Sequence, residues 1–386
     1  MPAQAVVLEQ LRRRIYDLHM RWGYHPVHPP FVEYLESLLS STGKDFDRHT
    51  FKVVDPLSGR MMGLRADMTP QVARIDAHTL GGTGVSRLFY MGTVIRAYGD
   101  STDGNRSPLQ MGAELFGHSG IESDVEVIKL MLATLECVGM RDVHLDLGHA
   151  EIFNCLIEKL QLTGSDHNAL FDLLQRKAES DLMQLSSSLG INEVDSKVLC
   201  ALCSLNGGLS VLESAEKLLA GYGDKMIAAI DALRQTGGML MRTQPSITVH
   251  YDLAEVRGYQ YHNGVVFAAY VSQRGSEIAR GGRYDGIGET FGSRRAATGY
   301  STDLKTLMSL CKPTQQPAVG SAIIAPFSGS SDESSALLQS KIAELRESGE
   351  VVVTALEGEL SQGNTATTYN RTLIEKDGRW LLENLK

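Results

Sequence analysis

Residues 87–117 read RLFYMGTVIRAY (87–98), GDSTDGNR (99–106) and SPLQMGAELFG (107–117). The outer stretches are rich in aromatic, β-branched and other apolar residues, and the middle one consists almost wholly of turn formers. The pattern predicts a long antiparallel hairpin with an eight-residue tip. Such a tip exceeds what a tight turn needs, and long tips often carry function. Gln110 and Glu114 differ by an even number, so their side chains face the same side of the sheet, and Arg96 lies on the opposite arm, within its strand. An Arg, a Gln and a Glu on a hairpin floor suit a small zwitterion: Arg would take a carboxylate in bidentate fashion, and Glu an amine or a ring N–H. The pattern alone favours an ordinary solvated sheet face.

Toward the N-terminus, apolar residues recur at helical spacing from Val6 to Trp22, with Arg12, Arg13 and Arg14 on the wet side. The prolines of GYHPVHPPF (23–31) end that helix and favour an extended segment. FVEYLESLLSS (31–41) reads as a second helix, HTFKVVD and RMMGLR as strands about a turn at Pro56–Gly59, and Thr69–Leu80 as a helix.

Beyond the hairpin come a helix from Glu122 to Val138 and a strand VHLDLGH, and then from about residue 152 the pattern is mostly helical. Strand patterns return with SITVHYDLAEV, VVFAAYV and SEIAR, so the helical stretch reads as an insertion into one sheet domain. KPTQQPAVG after Cys311 reads as a linker. The tail holds SAIIAPF, a helix from Ser331 to Ser348, VVVTAL and a hairpin turning at Asp377–Gly378, a small α/β appendage.

Two further segments concentrate polar and aromatic residues. EVRGYQYHNGVVF (255–267) brings Arg257, Tyr259, Tyr261 and His262 up to a strand. ARGGRYDGIGETFG (279–292) places Arg283, Tyr284 and Asp285 after Gly281 and Gly282, which reads equally as a Gly-Gly turn beside a surface arginine.

The chain has 386 residues, 42% hydrophobic and 22% charged, enough for a sizeable core in two or three domains. Its net charge of −9 argues against a protein whose main work is gripping nucleic-acid phosphates. No apolar run reaches the ~18 residues of a membrane span. MPAQAVVLEQLRRR turns basic where a secretory leader turns apolar. The five cysteines are sparse and odd in number, so reduced thiols and a cytoplasmic location are expected. Cys200 and Cys203 form one C-x-x-C in an apolar helical stretch, which favours core packing over metal or redox chemistry. There is no P-loop, H-E-x-x-H or G-x-S-x-G, and GGTG at 81–84 lacks the third glycine of a dinucleotide fingerprint.

Taken together and in this order, the segments resemble the catalytic core of histidyl-tRNA synthetase, a class II aminoacyl-tRNA synthetase, over roughly residues 1–310. GYHPVHPP resembles its first motif, with Pro30 as the dimer-interface proline, and LRADMTPQVAR the segment that grips the amino acid's α-amino group. The hairpin resembles the second motif, with Arg96 as its arginine, and EVRGYQYHNGVVF and GGRYDG resemble the two histidine-specific segments.

The resemblance implies an α+β fold: an antiparallel mixed sheet flanked by helices, in a core of residues 1–312 with a helical insertion at about 152–243. A small C-terminal α/β domain would follow at 320–386. It also implies a histidine pocket in which Asp67, Thr69 and Gln110 take the α-amino group and Arg96 the carboxylate. Glu114, Tyr261 and His262 would surround the imidazole, and Arg257 and Tyr284 match further pocket positions. Asp67 is a shortened stand-in for a family Glu, and His262 replaces a usual Tyr.

The departures fall on the nucleotide side. Tyr98 stands where the second motif has a Glu, Gly104 where a loop arginine meets ATP phosphates, and Pro108 where a Phe stacks on adenine. Lys305 and Thr306 replace the Glu and Arg of the third motif, and an uncharged threonine cannot hold a triphosphate as arginine does. The tail is also short for an anticodon-binding domain.

A kept amino-acid pocket beside a dismantled nucleotide site is similar to the regulatory subunits of ATP phosphoribosyltransferase, in bacterial histidine biosynthesis. That resemblance implies a chain without catalysis, metal or cofactor, dimeric, joined to a short catalytic transferase in a hetero-octamer. L-histidine would be the effector, with no role for tRNA or membrane. An active histidyl-tRNA synthetase-like ligase and a stand-alone histidine sensor are the alternatives.

Overall fold

A computed structural model gives the fold and describes residues 2–39, 44–80, 84–99, 104–244, 247–255, 261–287, 294–311, 322–326, 333–356 and 369–385. The chain divides into two compact units. Leu11–Gln315 form one, and Gln316–Lys386 together with Met1–Gln10 form the other.

Among the described residues the larger unit is built on a nine-stranded mixed sheet. From one edge its strands are His25–Pro26, Ser86–Thr93, Leu109–Phe116, Ala297–Asp303, Ala279–Arg283, Val265–Tyr270, His144–His149, Thr248–Asp252 and Asn206–Gly207. Most neighbours are antiparallel; the first pair, and the pair His144–His149 with Thr248–Asp252, are parallel. Helices flank the sheet, as the sequence led us to expect. Behind it lies Ile121–Cys137, whose buried Val125, Ile128, Leu132 and Leu135 recur at three- and four-residue spacing while Glu122 and Asp124 sit in the first turn. That arrangement gives an apolar stripe to bury and places negative charge at the positive end of the helix.

The front of the sheet is covered by the segment after Leu64. Thr69–Arg74 is α-helical and continues as a π-helix over Ile75–Leu80. Met68 and Val72 from this segment close a core with Leu88, Tyr90, Val94, Phe116 and Tyr284. The residues expected to form the amino-acid pocket lie mainly on this front face.

Several local expectations needed correction. Phe31–Ser41 is not one helix: Val32–Tyr34 is a strand, paired with Met61–Leu64, and the helix begins at Leu35. The β-branched and aromatic residues Val32 and Tyr34 fit that ladder, and pairing with a neighbouring strand outweighs the helical propensity of Glu33. Gly281 and Gly282 form no turn but lie inside the strand Ala279–Arg283, and Arg283 is buried rather than superficial. The expected linker at 312–320 lies outside the described residues.

From Ala150 to Thr243 six α-helices and one short 3-10 helix follow one another, and Asn206–Gly207 between two of the α-helices pairs with Asp252 and Tyr251 at the sheet edge. The smaller unit has a four-stranded sheet carrying the helix Glu333–Glu347, with Ile323, Leu338, Ile342, Val352 and Leu373 as its core.

Candidate functional site

Strand pairing sets the site. Gly92 pairs with Gln110, Leu88 with Glu114, and Glu114 also with Gly299, so Gln110 and Glu114 stand on the front face of the central strand. Both are buried, at 4% and 1% exposure. Gly299 decides where the Glu114 carboxyl goes: a Cβ there would collide with Glu114 Oε2, and only glycine leaves room for a carboxyl lying across the neighbouring strand.

A continuous hydrogen-bond chain runs through the face. Gln110 Nε2 donates to Asp67 Oδ1 at 2.7 Å, and the backbone N–H of Met68 donates to Gln110 Oε1 at 3.0 Å. Asp67 Oδ1 also accepts from the Thr69 N–H at 3.0 Å. Thr69 Oγ1 and the Tyr90 hydroxyl bond at 2.9 Å, with either able to donate. The Tyr90 hydroxyl donates to Glu114 Oε1 at 2.9 Å, and that of Tyr284 donates to Glu114 Oε2. The amide of Gln110 is therefore engaged at both ends in holding the 67–69 segment. Asp67 Oδ2 has no hydrogen-bond partner among the described residues.

Burial dominates the electrostatics. It pushes the Glu114 carboxyl up to about 8, with the bonds from Tyr284 and Tyr90 pulling the other way. Near neutral pH Glu114 therefore favours its protonated form. The reversible Thr69–Tyr90 bond accommodates this: Glu114 can donate to Tyr90, which then donates to Thr69.

The segments that resemble the histidine-specific ones supply the far wall. Tyr261 stacks on Tyr284 with ring centroids 5.1 Å apart, and its buried hydroxyl has no hydrogen-bond partner among the described residues. The His262 ring lies over Gly282, its Cδ2 2.8 Å from where a Cβ would stand, and Gly282 pairs with Gly299. His262 and Glu114 thus flank one pair of glycines.

The structure brings Asp67, Thr69, Gln110, Glu114, Tyr261, His262 and Tyr284 to this face. Arg96 is not inside the strand, which ends at Thr93. It lies farther along the arm, half-buried, in an isolated bridge with Thr50, its N–H donating to the Arg106 carbonyl at 2.9 Å. Beyond Thr93 the arms still bond, Val94 N–H to the Pro108 carbonyl at 3.2 Å and Arg96 N–H to the Arg106 carbonyl, but Pro108 has no N–H to return, so the regular ladder stops there. Arg257 lies outside the described residues. Sequence reasoning missed Tyr90, the link between Thr69 and Glu114; its signal was parity, since Tyr90 faces the same way as Gln110 and Glu114.

A histidyl-tRNA synthetase family model matches residues 1–307, and a model of the ATP phosphoribosyltransferase subunit HisZ C-terminal domain matches residues 320–383. The ATP phosphoribosyltransferase regulatory subunit of Thioalkalivibrio sulfidiphilus is 49% identical over 100% of this chain and 96% of its own length. That of Stutzerimonas stutzeri is 47% identical over 100% and 95%. The chain belongs to the ATP phosphoribosyltransferase regulatory subunit family. A crystal structure of an ATP phosphoribosyltransferase regulatory subunit/histidyl-tRNA synthetase from Bacillus halodurans C aligns with TM-score 0.82 and 26% identity, over 96% of this chain and 95% of the other.

For a regulatory subunit, the region where the resemblance places a nucleotide is informative. The strand Ala297–Asp303 leads into a helix, Leu304–Leu310, capped by Asp303. Asp303 Oδ1 accepts from the N–H groups of Leu109 (2.9 Å) and Lys305 (3.1 Å). Its Oδ2 accepts from Asn105 Nδ2 (3.2 Å) and from the Thr306 hydroxyl (3.1 Å). Lys305 Nζ donates to the Ser107 carbonyl at 2.7 Å. The Lys305 side chain is spent on the hairpin arm, and that of Thr306 on the Asp303 cap that bonds the same arm.

Among the described residues no group of three or more His, Cys, Asp or Glu is disposed to hold a metal ion. Cys203 is buried and Cys200 half-buried on the helix Glu193–Ser204. No described helix is long and apolar enough to cross a membrane.

Proposed function

We propose that this chain is a non-catalytic subunit that switches on a short catalytic ATP phosphoribosyltransferase in the first step of histidine biosynthesis. Histidine held in the pocket built on Glu114 would switch it off again. The observation that carries the reading is the buried Glu114 carboxyl, held between the hydroxyls of Tyr90 and Tyr284, with Tyr261 stacked on Tyr284 and its own buried hydroxyl without a partner among the described residues.

Such a carboxyl suits an imidazole. A neutral imidazole entering the pocket accepts a hydrogen bond from the Glu114 acid, and where the proton crosses, an imidazolium–carboxylate pair forms without net proton uptake. The charged carboxylate keeps both tyrosine donors, and charge-assisted bonds of this kind are roughly twice as strong as neutral ones. Asp67 Oδ2 is open to the ammonium, and Arg96, Arg257 and His262 complete the ligand set by resemblance. The bonds made by Asp303, Lys305 and Thr306 favour the regulatory reading over an active ligase, since no guanidinium stands at 306 to hold a triphosphate.

We take the organisation to be a synthetase-like core at 1–312 with its insertion at 152–243, followed by the 320–386 domain. The assembly would contain dimers of this chain joined to the transferase in the cytoplasm, without tRNA. Histidine and the transferase substrates would then oppose each other, with reciprocal coupling of about 1–3 kcal/mol.

The test is the initial rate of phosphoribosyl-ATP formation by the short transferase alone, with this chain, and with this chain plus histidine. A rise reversed by histidine supports the reading, and an unchanged rate removes it. Histidine-dependent pyrophosphate exchange into ATP would instead establish the ligase.

A further inference from the structure

The sheet of the smaller unit runs Val352–Thr354, Ala322–Ala325, Tyr369–Lys376, Arg379–Asn384, which makes Arg379–Asn384 an edge. Natural edges are usually blunted by a proline, a bulge, a cover or charged side chains, and this strand carries only the last, Arg379 and Glu383. This one has no proline, and its register runs unbroken from Lys376↔Arg379 to Arg371↔Asn384. Leu381 and Leu382 stand 48% and 40% exposed, one on each face, and no further strand pairs with them among the described residues.

The hairpin geometry fixes which backbone groups are free. The strands close on the two-residue turn Asp377–Gly378, both with positive φ (51° and 71°), so Lys376 and Arg379 exchange both N–H···O bonds. Alternation then turns the amides of Arg379, Leu381 and Glu383 inward, a parity continued by the Leu385 N–H donating to the Asn370 carbonyl at 2.8 Å. The N–H and C=O groups of Trp380, Leu382 and Asn384 point out from the sheet.

We propose that this edge pairs with the same edge of a second copy, antiparallel about a two-fold axis at Leu381. Because the outward residues are even-numbered, even must meet even, and three registers keep the middle of the strand engaged. Centring on Trp380 sets Asp377 against Glu383. Centring on Leu382 sets Leu381 against Glu383. Centring on Leu381 sets Arg379 against Glu383 of the second copy, twice over, with Trp380 opposite Leu382 and Leu381 opposite itself. That register alone matches charge with charge and apolar with apolar. Within one chain Glu383 meets only the exposed Lys376 among the described residues, at 3.4 Å, a contact Arg379 of the second copy can replace. Six residues a side fall short of the roughly 1,000 Å² of a free-standing interface, so the edge acts as an added contact between copies gathered by other surfaces or by concentration.

The inference does not rest on the histidine reading and is tested apart from it, on the full chain. Leu381→Cys places two thiols opposite each other across the axis, whereas Leu382→Cys faces Trp380. Mild oxidation should convert most of the Leu381→Cys chain to a covalent dimer. Leu382→Cys, and the wild type with its five native cysteines, should stay below a tenth of that yield. Sedimentation should show Arg379→Glu or Glu383→Arg alone lowering self-association at least several-fold, and the double swap restoring it. Equal cross-linking at 381 and 382, or none at 381, overturns the proposal. So does cross-linking at 381 that the catalytic transferase abolishes, because the transferase would then be the occupant of the edge.

Discussion

The carboxyl of Glu114 occupies the space that a side chain on residue 299 would need. Gly299 and Glu114 are cross-strand partners on the front of the sheet, and the absent Cβ lets the carboxyl lie flat between Tyr90 and Tyr284. Gly299→Ala forces that carboxyl out of its bonds, at a cost of about 1–3 kcal/mol for each buried polar group left unsatisfied. Chemical denaturation should show the loss of stability, and calorimetric titration with histidine should show binding weakened at least tenfold. Unchanged histidine binding would remove Glu114 from the pocket.

The raised Glu114 pKa makes stability depend on pH in a defined direction. A carboxyl with a folded value near 8 against an ordinary 4.5 favours the fold below pH 4.5 and loses that contribution as pH rises through 8. Every tenfold change in proton affinity between the folded and unfolded chain is worth about 1.4 kcal/mol, so a few kcal/mol are at stake. Glu114→Gln mimics the protonated group and stays neutral. Denaturation at pH 5, 7 and 9 should show the variant gaining on the wild type at each step. A constant difference would mean that Glu114 does not titrate in this range.

Tyr261 separates folding from binding. Its buried hydroxyl has no partner among the described residues, so Tyr261→Phe should leave stability unchanged or raise it by up to ~1 kcal/mol. If that hydroxyl is kept for the ligand, histidine affinity should fall roughly tenfold, or ~1.4 kcal/mol. Loss of stability with unaltered affinity would assign it a purely structural role.

Behind the sheet, Arg283 anchors the strand that leads to Tyr284. Its guanidinium meets Asp124 at 3.0 Å and Ser123 Oγ at 2.8 Å, and donates to the carbonyls of His118 and Gly120. Arg283→Met leaves the buried Asp124 uncompensated and should cost about 3–5 kcal/mol in urea unfolding. Arg283→Met with Asp124→Leu should recover most of that loss, because the stranded charge is gone.

Much of this protein was settled by periodicity and order. The paired arms of the hairpin in residues 87–117, the shared face of Gln110 and Glu114, the helical run after 152 and the Asp377–Gly378 turn all follow from alternation, helical spacing and turn chemistry, which are local properties. The resemblance to histidyl-tRNA synthetase, and through it the regulatory subunit family, rested on the order of short segments. Tertiary structure alone decided what those side chains do. Periodicity could not show that Gly281 and Gly282 are strand rather than turn, or that Arg283 is buried against Asp124. Nor could it place Tyr90 between Thr69 and Glu114, or spend the amide of Gln110 on the 67–69 segment. Those outcomes depend on which strands become neighbours, and pairing between residues 114 and 299, or 124 and 283, brings together groups that no sequence window contains. The proton that Glu114 favours near neutral pH arises the same way: a carboxyl's ordinary value is a property of the residue, but its displacement is set by the water that folding removes.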